Sequence, residues 1–165
     1  KKELFHSLII NFEKRVQIGI WCRLAGDRPE GGNCYYFDKE GIIFKKAPQT
    51  EGFLILKIQD SNRNNVSLGE KILTDGQLKF ITEFSKRIAE NSQIKITEFK
   101  MGTQENSYLE AITNHGWAIY LDQNQDPVLE AENLFTILNE AIKTNDSKLE
   151  YVDLRIPSRI FYKLK

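Results

Sequence analysis

The chain has 165 residues, 41% apolar, 11% aromatic and 28% charged, and its 23 Lys and Arg balance 23 Asp and Glu. This is the composition of a globular domain, and it excludes collagen, coiled coil, disorder and a disulfide-dense miniprotein. A zero net charge with no Lys/Arg block also argues against a nucleic-acid-binding surface.

The length fits one domain, or one domain plus a fragment. At this size roughly 70% of the unfolded surface is buried, so neither metal nor disulfides are needed for folding. No stretch approaches the roughly 20 apolar residues of a membrane helix, and no signal peptide is visible. The chain begins at Lys1 rather than Met, and the expectation is a piece of a longer protein.

Residues 1–6 read as the tail of a helix. Residues 7–15 alternate, with Leu8, Ile10 and Phe12 on one face, which predicts a half-buried strand. Residues 16–24 alternate again, with Val16, Ile18 and Ile20 on one face and Trp21 on the other. Gly26, Pro29, Gly31 and Gly32 mark 25–33 as a loop. An aromatic strand at 34–37 turns through 38–41, with Gly41 closing the turn, into a partner at 42–44. A further strand covers 53–58, and the polar stretch 60–65 is the expected mobile loop.

Thr74 and Gln77 form a capping box ahead of Leu78, Ile81, Phe84 and Ile88, which recur at helical spacing. Segments 94–101, 108–113 and 117–121 read as a meander, with Asn114, His115 and Gly116 closing its last hairpin. Asp126 and Pro127 open a second helix, with Leu134, Leu138, Ala141 and Ile142 on its apolar face. Strands at 149–156 and 159–165 flank a turn at Pro157 and Ser158. The fold class is α+β, a largely antiparallel sheet with two amphipathic helices. Trp21 and Trp117 are candidates for burial.

Little here points to catalysis. His6 lies in the first segment and His115 in a turn. No nucleophile elbow, H-E-x-x-H, P-loop or G-x-G-x-x-G occurs. Gly31 and Gly32 precede no helix and read as hairpin slack. Glu40, Glu51, Glu70, Glu90 and Glu105 are scattered singly and read as solvated. No catalytic, metal or cofactor site is therefore expected. The sequons at Asn65 and Asn145 carry no weight. Cys22 and Cys34 lie on consecutive strands. They read either as cross-strand neighbours able to bridge or as two buried free thiols.

The stretch Asp153-Leu154-Arg155, with Pro157 and Ser158 after it and the alternating residues 159–165, resembles the C-terminal strand pair of the FtsQ/DivIB family of bacterial cell-division proteins. Arg15-Val16-Gln17-Ile18-Gly19-Ile20-Trp21 resembles that family's Arg-x-Pro-x-Ala-x-Trp strand, with Gln17 and Gly19 departing from it. Asp38-Lys39-Glu40-Gly41-Ile42-Ile43-Phe44 resembles its Asp-x-x-Gly-x-x-Phe hairpin. The Cys22/Cys34 pair is not a general family feature.

The resemblance implies that 1–15 is the remnant of a POTRA domain and 16–165 the β domain, with Trp21 packing at their junction. It implies one upstream helix in the cytoplasmic membrane, with this segment on the extracytoplasmic side, where a Cys22–Cys34 bridge would be favoured. The implied role is a non-catalytic divisome scaffold. It would bind FtsB/DivIC and FtsL and help control septal cell-wall synthesis. The partner strand would add at the last strand. Phe161 and Tyr162 lie on opposite faces there, and the exposed one is the anchor. Tyr151, Arg155 and Arg159 would meet acidic groups. The bland alternative is an ordinary edge blunted by Lys163 and Lys165. A POTRA-type chaperone module for membrane-protein assembly or secretion, and a secreted α+β enzyme, are the competing functional readings.

Overall fold

A computed structural model describes residues 9–24, 34–48, 55–63, 65–91, 93–102, 108–143 and 148–165. The expected helix tail at 1–6, His6, Leu8, the Gly31–Gly32 pair and the Asn145 sequon lie outside them. The elements are β1 (Gly19–Arg23), β2 (Cys34–Phe37), β3 (Ile43–Ala47), β4 (Leu56–Asp60), α1 (Asp75–Asn91), β5 (Ile96–Met101), β6 (Leu109–Thr113), β7 (Ala118–Leu121), α2 (Pro127–Ile137), β8 (Leu149–Asp153) and β9 (Phe161–Leu164). A π-helical turn over Leu138–Ile142 extends α2.

The nine strands form one sheet in the order β3-β2-β1-β4-β5-β6-β7-β8-β9. Five junctions are antiparallel. The other three, β1/β4, β4/β5 and β7/β8, are parallel. A parallel neighbour needs a crossover, and α1 and α2 supply two of them. The mixed α/β class and the mostly antiparallel sheet agree with the sequence; the three parallel junctions do not follow from hairpin spacing.

Both helices lie on one face. Tyr35, Trp21, Ile58, Phe99, Ala111, Ile119 and Val152 are successive in-register neighbours across the sheet. All are buried, in one core with Leu78, Ile81, Phe84 and Ile88 of α1 and Ala131 and Leu134 of α2. Each large side chain so buried contributes roughly 1.5–3 kcal/mol. Thr74 and Gln77 cap α1 reciprocally at 3.2 and 2.9 Å. Asp126 caps α2 through the N–H groups of Val128 and Leu129. Ala141, placed by periodicity on the apolar face, is exposed because the helix has widened into the π turn.

The opposite face carries a second row: Cys34, Cys22, Gln59, Lys100, Glu110, Tyr120, Asp153 and Phe161. Its centre is polar, with Lys57–Glu98 at 3.2 Å and Lys100–Glu110 at 3.5 Å. Cys22 and Cys34 are directly opposed and joined by a disulfide, with Cα atoms 4.1 Å apart.

The structure corrects several expectations. Residues 9–18 form no strand, and Ile10 and Phe12 are 68% and 92% exposed. An alternating segment becomes a strand only with a partner and an apolar floor, and the described residues provide neither. The segment is held instead by the Arg15–Asp38 ion pair and by the Ile18 N–H on the Phe37 carbonyl. Val16 and Ile18 are exposed, so β1 starts only at Gly19. A Cβ on Gly19 would lie 2.5 Å from Phe37 Cζ and 2.6 Å from the Leu56 carbonyl oxygen, which accounts for glycine at this position. Trp21 sits within the main core, its Nε1 donating to Asp60 Oδ2 at 3.3 Å, and not at a junction with the preceding segment. Trp117 is equally buried. The start of the 60–65 stretch is tied down, because Asp60 is buried and also accepts the Asn62 N–H at 2.7 Å.

Candidate docking edge and tyrosine–arginine cluster

The chain's last two strands place most of the candidate residues. β8 ends at Asp153, and the chain reverses through Ile156, Pro157 and Ser158, whose φ of 65° makes the tight return. The Arg159 N–H closes the turn on the Ile156 carbonyl at 3.1 Å. β9 then runs antiparallel to β8, with Tyr162 opposite Val152 and Phe161 opposite Asp153. Tyr162 therefore ends the row on the helix face and Phe161 the row on the other. Both are exposed, at 42% and 48%, so exposure does not choose between them, and Leu164 joins them at 42%.

β9 is a terminal strand of the sheet. The Lys165 N–H donates inward to the Lys148 carbonyl at 2.8 Å. Backbone direction alternates with period two. Phe161 and Lys163 thus point their backbone groups at β8, and Tyr162 and Leu164 point theirs outward. The other terminal strand, β3, is different. Its Ile43 N–H bonds the Glu70 carbonyl at 3.0 Å, its carbonyl accepts from Gly69 at 2.7 Å, and Lys45 and Lys46 follow, exposed. Lysines of this kind discourage strand addition. On β9, Lys163 is drawn onto Glu150 at 2.7 Å, which raises its pKa.

Tyr151 and Arg155 serve the protein's own surface. Tyr151 is half-buried and its ring centroid lies 5.3 Å from that of Tyr120. Tyr120 meets Tyr108 edge-on at 5.5 Å. The Arg155 guanidinium lies 4.8 Å from the Tyr108 centroid and 5.3 Å from that of Tyr120. It also grips Asp153 with two bonds of 2.8 and 2.6 Å. Burial works to raise the Asp153 carboxyl, but the Arg155 hydrogen bonds outweigh it and hold the pKa low. The expectation that Arg155 meets a partner's carboxylate is thus met internally by Asp153. Arg159, by contrast, has no carboxylate partner among the described residues. Tyr108, Tyr120, Asp153 and Leu164 were missed as members of this surface. The registers of β6, β7 and β8 bring Tyr108 and Tyr120 beside Tyr151, whereas Asp153 stands two residues from Arg155 and Leu164 was visible in the terminal alternation.

On the helix side, Glu130 of α2 is 1% exposed, and its Oε2 has no hydrogen-bond partner. Burial, with the nearby charges of Asp122 and Asp153, pushes its pKa up to about 8. Among the described residues no group of three or more His, Cys, Asp or Glu is arranged to hold a metal ion. Nor is any helix among them long and apolar enough to cross a membrane. No protein-family model matches the chain, and no curated protein matches it.

Proposed function

We propose that this chain is the extracytoplasmic docking domain of a membrane-anchored division protein of the FtsQ/DivIB type. It is non-catalytic and accepts a strand of an FtsB/DivIC-like partner, together with FtsL, to help control septal cell-wall synthesis. The observation that carries the reading is the contrast between the two sheet edges. β3 is covered at Ile43, whereas β9, whose Lys163 is drawn onto Glu150, presents outward backbone groups at Tyr162 and Leu164 beside three exposed apolar side chains. The motifs of the strand pair, the Asp38 turn and the Arg15 segment support the family assignment.

Four outward backbone groups at about 1 kcal/mol each contribute about 4 kcal/mol. Micromolar binding requires about 8 kcal/mol. Side chains must supply the remainder. The test is calorimetric titration with the membrane-distal fragment of the FtsB/DivIC-like partner. Tyr162→Pro removes an outward donor and leaves the β8–β9 ladder its inward bonds. The expected result is at least a tenfold loss of affinity with an unchanged circular dichroism spectrum. Deletion of residues 161–165 should abolish binding. Full affinity in a folded Tyr162→Pro protein would refute strand addition at β9.

A further inference from the structure

The side-chain share of that affinity has a place to come from. Between the β8–β9 turn and α2 lies a cavity of about 150 Å³. Leu154, Ile156, Pro157 and Ile160 supply the apolar half of its lining, and Gln125, Asn133, Ser158 and Arg159 the polar half. Leu154 is buried, Ile160 is half-buried against the main core, and Ile156 is 48% exposed at the opening. A cavity of this volume holds a benzene-sized group. Ile160 stands two residues before Tyr162, so the cavity lies beside the start of β9.

The charge at this site is one-sided. None of the lining side chains is acidic, and Arg159 is the cation among them. Its neighbours in the chain are differently committed: Arg155 is held by Asp153 and Lys163 by Glu150. Arg159 alone of the three has no carboxylate partner among the described residues. An exposed guanidinium beside a cavity with no acidic lining favours a carboxylate over a second cation, and it offers two donors to one carboxylate. The same charge disfavours a second copy of this edge, which would bring Arg159 and Lys165 against their own kind.

We infer that the cavity at the β8–β9 turn is an anchor pocket for the partner segment, taking a large apolar side chain whose neighbouring carboxylate pairs with Arg159. The inference rests on the strand-addition reading for its occupant. It adds a recognition element separate from backbone pairing. Anchors of this kind, seated in a pocket with a polar rim, dominate binding in protein interfaces.

Two probes test it on the whole chain by amide chemical-shift titration: Ac-Leu-Asp-NH2 and Ac-Leu-Asn-NH2. The expected result is saturable shifts at Asn133, Ile156 and Ile160 in the millimolar range, as suits so small a ligand. The acidic peptide should bind at least threefold tighter, and Arg159→Gln should erase the difference. Tyr162→Pro should leave both peptides binding while it weakens the partner fragment. Ile156→Ser and Arg159→Gln, both at exposed positions, should each weaken the partner fragment at least fivefold.

Absence of saturable shifts at the pocket overturns the inference. So does equal binding of the two peptides, or unchanged partner affinity in both variants. If those results accompany a Tyr162→Pro protein that has lost the partner, only the pocket falls. If Tyr162→Pro keeps the partner and the peptides still fill the pocket, strand addition falls instead.

Discussion

Replacing Glu130 by glutamine should alter how stability varies with pH. The carboxyl has a pKa of about 8 in the folded protein against an ordinary 4.5. Below pH 4.5 both folded and unfolded chains carry the proton, and the group costs nothing through ionisation. Between 4.5 and 8 the unfolded chain has released its proton and the folded protein retains it. Stability therefore falls as pH rises across that window, and above 8 the loss is complete. Each pH unit is worth about 1.4 kcal/mol. Roughly two and a half units separate 4.5 from 7, which gives about 3.5 kcal/mol as an order of magnitude. Glutamine has no ionisation and removes the slope, although its buried amide still meets no partner at the Oε2 position, at a cost of about 1–2 kcal/mol. Asp38 and Asp153, whose pKa values are lowered, are ionised in both states above pH 5 and leave the comparison unaffected. The measurement is urea unfolding of both proteins at pH 5, 6, 7 and 8. Wild type should be the more stable at pH 5 and the variant at pH 8. Parallel pH profiles would show that the folded protein does not hold Glu130 protonated.

Other perturbations follow from the same geometry. Gly19→Ala drives a methyl into Phe37 and the Leu56 carbonyl and should lower stability by about 1–3 kcal/mol; an unchanged thermal midpoint would rule out the close approach. Opening the Cys22–Cys34 bridge, by reductant or by serine at both positions, frees a loop 12 residues in span and should cost about 3 kcal/mol in urea unfolding. Coincident unfolding curves with and without reductant would contradict that. Arg155→Lys loses the two-pronged grip on Asp153 and the stacking on Tyr108 and Tyr120. It should cost about 1 kcal/mol and let the Asp153 carboxyl rise toward its ordinary range, as read by carbon NMR titration. A carboxyl titrating unchanged in the lysine variant would place the cause elsewhere.

What the sequence determines by itself is local. Thr74 and Gln77 announce α1, and Asp126 with Pro127 announces α2, because a cap is satisfied within three or four residues of itself. Gly41, at φ 73°, marks its turn for the same reason. The alternation of 109–113 and 118–121 is legible because a half-buried strand writes its two faces into every second residue.

What lies beyond the sequence depends on pairing between distant segments. Nothing within β1 indicates that β4 lies parallel beside it, with the β2–β3 hairpin on its other side. Residues 9–18 alternate as strands do, yet without a partner their apolar side chains stay in the open. Arg155 and Arg159 look alike four residues apart. The register of β7 against β8 brings Tyr120 to the first, beside its chain neighbour Asp153, and the turn leaves the second beside a cavity that no local pattern announces. Glu130 reads as one more solvated helix carboxylate. Only the packing of α2 over the sheet removes it from water, and a desolvated charge is an energy that no local pattern records.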